Sequence, residues 1–384
     1  MRATYHLQTF ALAAALLGGG LSLSSCLFEP EVGFKISGRL GNAFGCYVLT
    51  SAGRTYELSS WRDPIPPAGS FVTLRVRSIG GASTCMVGEI VKVIRVLEVR
   101  TDFRTAPVTG DETWGPDSGP IVLGQVEVRP GATLTILPGT VVTIIDYGAL
   151  RVRGGLLMAG TPGDSIRVVS RHSGLGGGGR VSIDSTASAR IEYAVLGALS
   201  LSGSRRELQN LRIGYLTVRH GLADLRHVVT SGLSSDGGRV SAEDSELGNV
   251  AANGGAFAFL RCRMTRLDLS YSMATVLACS FEGSRTYVLL HGASGGTFQR
   301  TVFRAAETVI EVRHTSTGDF RDNDFVSPIM RVECGSYQLG TCVNMGENWW
   351  GTAVEEEIRA KIQESCPVCI EPWRTEPVNP QPSP

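Results

Sequence analysis

The chain of 384 residues has no net charge, with 36 Lys and Arg against 36 Asp and Glu. A nucleic-acid surface usually needs a basic excess, so no nucleic-acid partner is expected. There is no apolar run long enough to cross a bilayer as a helix. The stretch 10–23 is too short and is broken by Gly18, Gly19 and Gly20. Gly-x-Ser-x-Gly and His-Glu-x-x-His are both missing, which excludes a nucleophile elbow and a zinc-protease helix. The Gly-rich run 174–179 lacks the Lys-Ser/Thr of a phosphate loop and reads as a projecting turn. His172, His220, His291 and His314 fall in or near turns with no Cys or carboxylate at ligand spacing, and His227 reads as a core residue. No metal or cofactor is expected.

What the chain does have is a pattern, apolar-polar-small-polar-apolar, that returns from Ile191 to Phe325. Its last apolar residues are Val195, Ile213, Val229, Leu247, Met264, Phe281, Phe303 and Phe325, at spacings of 18, 16, 18, 17, 17, 22 and 22. Self-similarity at such a period, without helical spacing, predicts a solenoid. The internal alternation predicts strands with one buried face. Two residues before each anchor, facing inward, come Leu211, His227, Ser245, Cys262, Cys279, Thr301 and Asn323. Most of these are small or able to hydrogen-bond a like neighbour one turn away. Three before the anchor, facing outward, come Glu192, Asn210, Arg226, Asp244, Arg261, Ala278, Arg300 and Asp322. The sign alternates from Arg226 to Asp244 to Arg261, as on a solvated sheet of balanced charge. The functional alternative is a face for a polyanion or sugar. Pairs of this kind contribute roughly 0.2–1 kcal/mol each, so they tune register more than stability.

Residues 113–170 alternate at Val126/Val128, Leu134/Ile136, Leu150/Val152 and Ile166/Val168, with turns at Pro130-Gly131, Pro138-Gly139 and Gly154-Gly155. "VRPGATLTILPGTVV" and "GALRVRGGLLMAGT" resemble the opening turns of bacterial right-handed parallel β-helix proteins. "ENWWGTAVEEEIRAKI" resembles the Asn-Trp-Trp-Gly closure of such coils. The resemblance implies an all-β, right-handed parallel β-helix over 114–365. It would be capped by Trp349, Trp350 and a helix over 354–363, with Val354, Ile358 and Ile362 on one face. It says little of activity, because the architecture hosts lyases, hydrolases, adhesins and surface proteins. The Asn-Thr-Asp, Asp-Asp and Gly-His-Gly motifs of pectin-type hydrolases are missing. Asp322 and Asp324 are the best carboxylate pair, read as surface groups that the repeat ordinarily places there.

Residues 34–100 read as a separate unit, with strands at 34–37, 46–49, 55–58, 71–76 and 89–97, and hence as a small OB-like barrel. "GCYVLTSAGRTYELSS" resembles OB-like modules of bacterial envelope proteins. Its Tyr47, Tyr56 and Trp61, amid mixed charge, do not suggest a nucleic-acid groove, and a spacer is the simpler reading. Residues 101–113 would be a linker. Ahead of the barrel, 1–25 has the shape of a signal peptide, and Leu23-Ser24-Ser25-Cys26 resembles a bacterial lipobox. Cys26 would then carry acyl chains, with 26–33 as tether, placing the protein in the cell envelope and, with Leu27 next, at the outer membrane. Export permits disulfides. Cys46 is expected to pair with Cys85. Cys334, Cys342, Cys366 and Cys369 read as two further bridges with three connectivities open, and a zinc site fits their spacing less well. Cys262 and Cys279 are expected to stack as thiols, because adjacent turns hold Cβ atoms about 4.8 Å apart, against ~3.8 Å in a disulfide. Residues 366–384 read as a Cys-Pro-Val-Cys and Pro-rich tail, disordered after Trp373. The functional expectation is a lipid-anchored binding or structural surface, for glycan or another envelope component. The alternative is a polysaccharide lyase or hydrolase on the same scaffold. A redox or metal role for the C-terminal cysteines ranks last.

Overall fold

The computed structural model describes residues 33–378 apart from 44–45, 62–64, 67–69, 82–84, 86, 101, 119–120, 171–179 and 336–341. Cys26, His172 and the glycine run 174–179 lie outside the described residues. Five strands, β1 (Phe34–Ala43), β2 (Cys46–Ser51), β3 (Arg54–Ser59), β4 (Phe71–Ser78) and β5 (Glu89–Arg100), close a barrel in the order β1-β2-β3-β5-β4. All neighbours are antiparallel except β3 and β5, so the small sheet is mixed. Alternation does the work here: Val72, Leu74 and Val76 of β4 point into a core with Ile36, Leu40, Leu49 and Val91. Cys46 and Cys85 are bridged.

The rest is a parallel β-solenoid of about 11 turns. No linker separates it from the barrel. Asp102–Arg104 and Glu112–Trp114, inside the segment read as linker, pair with Ile121–Val128 and Thr133–Ile136 as the first turn. These strands are only three residues long, too short for alternation to reveal them. Trp114 is fully buried under the Arg104 guanidinium, 5.2 Å from the ring. Arg39 of the barrel donates to the Pro116 carbonyl at 2.9 Å and ties the two units together.

The central turns repeat every 17 residues, as in the pairing Ile191–Leu208–Leu225. The true interior column is Leu196, Ile213, Thr230, Leu247, Met264, Phe281, Phe303, Phe325. Val195 and Val229 are therefore corrected to Leu196 and Thr230, and the uneven spacings of 18, 16 and 18 become uniform. The slip has a local cause. Tyr193, Asn210, His227, Asp244, Arg261, Ala278, Arg300 and Asp322 all have φ between 48° and 56°, one corner per turn. At each such corner two successive side chains point outward, so alternation counted through it loses a residue. Glu192 and Arg226 give way to Tyr193 and His227 in the corner column. His227 is exposed, not a core residue.

The corner also explains the polar interior column. It turns the next residue's N–H inward, away from the ladder, where an unmet donor costs about 1–3 kcal/mol. The side chain one turn on accepts it: Val228 N–H to Ser245 Oγ at 3.1 Å, Cys262 N–H to Cys279 Sγ at 3.3 Å, Thr301 N–H to Asn323 Oδ1 at 3.0 Å and Asn323 N–H to Asn348 Oδ1 at 2.8 Å. From Phe281 onward the turn grows to 22 residues, with extra residues between Phe281 and Tyr287. Thr286, Thr308 and Ser327 fill the added space with a buried hydroxyl ladder at 3.1 and 2.7 Å. Phe281, Phe303, Phe325 and Trp350 stack face to face at 4.9, 4.6 and 4.8 Å.

Trp350 ends that stack. The helix α1 (Glu355–Lys361) is shorter than 354–363. It buries Ile358, while Val354 is 48% exposed. Lys361 Nζ reaches the Trp350 carbonyl at 2.7 Å. The chain then adds two more strands to the coil, Ile362–Glu364 and Val368–Cys369. Disulfides Cys334–Cys366 and Cys342–Cys369 fasten them, selecting one of the three connectivities. Residues 374–378 are not a free tail. Arg374 N–H bonds the Asn348 carbonyl at 2.9 Å, and Val378 N–H bonds Asp324 at 2.7 Å.

Candidate functional site

Among the described residues the solenoid interior is mostly apolar, and the outward columns carry many arginine–carboxylate pairs. Arg261 binds Asp244 at 2.7 Å and also Glu243, while Arg226 lies 3.7 Å from Glu243. These four groups form a network across three turns, in which Arg226 meets Glu243 and not the Asp244 read opposite it in the sequence. The Arg261 guanidinium holds the Asp244 carboxyl below its usual range. These groups are exposed, so the network sets register and adds little stability.

A trough of about 490 Å³ opens where the turn length changes. Its floor includes Ser231 and Gly248. A Cβ at Gly248 would stand 2.4 Å from the Ser231 carbonyl, so only glycine lets the two turns approach. Arg263 projects over it between Glu246 at 2.7 Å and Glu282 at 3.8 Å. Beyond it Tyr287 lies between the guanidiniums of Arg266 and Arg285, 5.4 and 4.7 Å from the ring. Arg266 holds Asp268 at 3.0 Å, which also bonds His291 at 3.0 Å. Arg285 and Arg331 share Glu307 at 2.9 and 3.3 Å. Sequence reasoning missed this cluster. Glu246 and Arg263 are one turn apart, a signal that was there, but Glu282 enters through the insertion and breaks the period.

Asp322 and Asp324 do not share an open groove. Asp322 sits in the corner column and holds Arg374. Asp324 is 2% exposed beneath the C-terminal segment, which bonds it through Val378. Both act as fastenings for that segment. His220 and His314 are exposed corner residues with φ of 50° and 59°. Among the described residues, the one grouping of His, Cys, Asp and Glu close enough to share an ion is Cys46, Glu57 and Cys85, and its cysteines are bridged. In the barrel, Tyr56 and Trp61 pack in the core, while Tyr47 and Phe34 are exposed.

Cys262 and Cys279 are buried free thiols in adjacent turns. The neighbouring Cys262 sulfur, together with burial, pushes the Cys279 thiol above its ordinary value. A thiol reagent should label neither in the folded protein carrying Cys26→Ala, and two per chain after unfolding without reductant. Labelling of four or more would remove a bridge from the set above.

No family model, no curated protein and no solved structure matches this chain.

Proposed function

We propose that the chain is a lipid-anchored cell-envelope protein that presents a parallel β-solenoid as a non-catalytic binding surface for glycans. Cys26 would carry the acyl chains, and the barrel would space the coil from the membrane, at the outer membrane by the residue that follows the cysteine. The observation carrying the binding reading is the pairing of outward carboxylates with arginine around the trough. An arginine partner favours the ionised carboxylate, the opposite of what a general acid for glycoside cleavage requires. Paired, pre-positioned guanidinium and carboxylate groups beside Ser231, Thr265 and Tyr287 suit hydrogen bonding to sugar hydroxyls.

The test is a panel of neutral and acidic polysaccharides scored for binding and for new reducing or unsaturated ends. Binding without new ends is expected, and turnover would replace the reading with an enzyme. The anchor is tested separately. Cys26→Ala should move the protein from the membrane pellet to the soluble fraction, and retention in the pellet would end the lipid-anchor proposal.

A further inference from the structure

Five arginines on the first half of the solenoid stand apart from the paired ladders. Arg151, Arg167, Arg180, Arg212 and Arg219 are exposed, and none makes an ion pair or side-chain hydrogen bond among the described residues. Register lines three of them up on either side of one corner. Arg167, Val195 and Arg212 form one outward column, and Arg180, Ala198 and Tyr215 form the next. A third column carries Arg151, Ser182, Ser200 and Thr217. Turns repeat at about 4.8 Å, so Arg167 and Arg212 recur at roughly 10 Å along the axis. The acids that continue these columns, Glu127 beside Arg151 and Glu246 two turns beyond Arg212, are already held by Arg153 at 3.1 Å and Arg263 at 2.7 Å. A chain of zero net charge therefore concentrates unneutralised positive charge on one strip, while arginines of the later turns are largely paired.

The strip also has features that a bare charge cluster lacks. Tyr215 is 49% exposed and lies against Gly232, where an added Cβ would stand 2.7 Å from the ring. A hollow of about 220 Å³, lined in part by Tyr193, Asn210 and Arg212, opens beside it. Ser182 and Thr217 present hydroxyls along the next column.

We infer that this strip binds an acidic polysaccharide laid along the solenoid axis, with its carboxylates on Arg167, Arg180 and Arg212 and a sugar ring against Tyr215. The inference rests on the glycan reading and narrows it to a substrate class and a place, the turns that lead up to the Glu246–Arg263–Glu282 trough, with Val229 lining both hollows. Guanidinium pairs with carboxylate through two parallel hydrogen bonds, and the only lysines in the chain are Lys35, Lys92 and Lys361, none of them here. A bilayer would want its cations spread over a flat face, whereas these straddle a corner. Duplex nucleic acid would want a net basic domain. A neutral glycan would leave the arginines without partners.

The experiment uses the full chain with Cys26→Ala, titrated with alginate, neutral dextran, phosphatidylglycerol vesicles and duplex DNA. Alginate is expected to bind in preference to the others and to weaken in about 0.5 M salt. The variant Arg167→Gln/Arg180→Gln/Arg212→Gln should lose at least about tenfold in affinity, and Arg212→Gln alone a smaller share. These positions are exposed, so thermal unfolding should not move. Arg359→Gln, an exposed arginine on the helix α1 outside both surfaces, should bind alginate as before. Equal binding of alginate and dextran, unchanged in the triple variant, would overturn this inference and keep the glycan reading. Binding of no glycan would overturn both. Tighter binding to vesicles or DNA than to alginate would overturn this inference.

Discussion

Replacing Phe303 with alanine should destabilise the solenoid by about 3–5 kcal/mol. The side chain has no exposed surface, stacks at 4.9 Å on Phe281 and 4.6 Å on Phe325, and meets Phe298 and Phe320 edge-on at 6.4 and 6.5 Å. Truncation removes contacts in three successive turns at once and leaves a cavity that a stacked ladder cannot collapse to fill. In a solenoid each turn is supported only by its neighbours. The loss should therefore appear first as reduced amide protection from Val302 onward and only then in the earlier turns. Tyr271→Ala is the control: its side chain is 69% exposed, and the expected change is within about 0.5 kcal/mol. Denaturant titration with hydrogen exchange makes the comparison. A cost under about 1 kcal/mol at Phe303 would mean that the ring stack is not what holds these turns together.

Trp350→Ala should have an effect of similar size and a second consequence. The indole is 1% exposed and closes the stack at 4.8 Å over Phe325, and its backbone carbonyl receives Lys361. Loss of about 3–5 kcal/mol corresponds to a melting point lower by roughly 10 °C for a unit of this size. Loosening the cap also bares the backbone groups and apolar face of the last turns, a template for another chain. Light scattering on warming should therefore rise together with the fall in melting temperature. A lower melting temperature with no gain in self-association would leave the indole a core residue but remove its role as an end cap. Reduction of Cys334–Cys366 and Cys342–Cys369 should give the same pair of symptoms, because these bridges hold the strands that follow α1. Each closes a loop whose loss costs about 2–5 kcal/mol.

Much of this fold was legible because its determinants are periodic and local. Met264, Phe281 and Phe303 share a column as their spacing implied, and Ser245, Cys262, Cys279, Thr301 and Asn323 share another. The barrel strands lie where alternation placed them, each longer than read, with the first reaching Ala43 and not Ser37. Reading failed where period two was interrupted. The left-handed corner at Tyr193 and His227 shifted the count by one, and the three-residue strands at Asp102–Arg104 and Glu112–Trp114 passed for a linker. The tail looked free because its partners, Asp322, Asp324 and Asn348, are donated by turns up to 54 residues earlier.

By itself, then, the sequence determined that the body is a stack of strands and where its interior column runs from Leu247 to Phe325. These follow from alternation and repeat length, which a linear chain displays. Only the tertiary structure decided which charges neutralise one another. Arg263 pairs with Glu246 one turn before it, Arg285 with Glu307 one turn after, and Arg212 with no carboxylate among the described residues. Side chains separated by a full turn become neighbours only when the coil closes, and the length of each turn sets which ones meet.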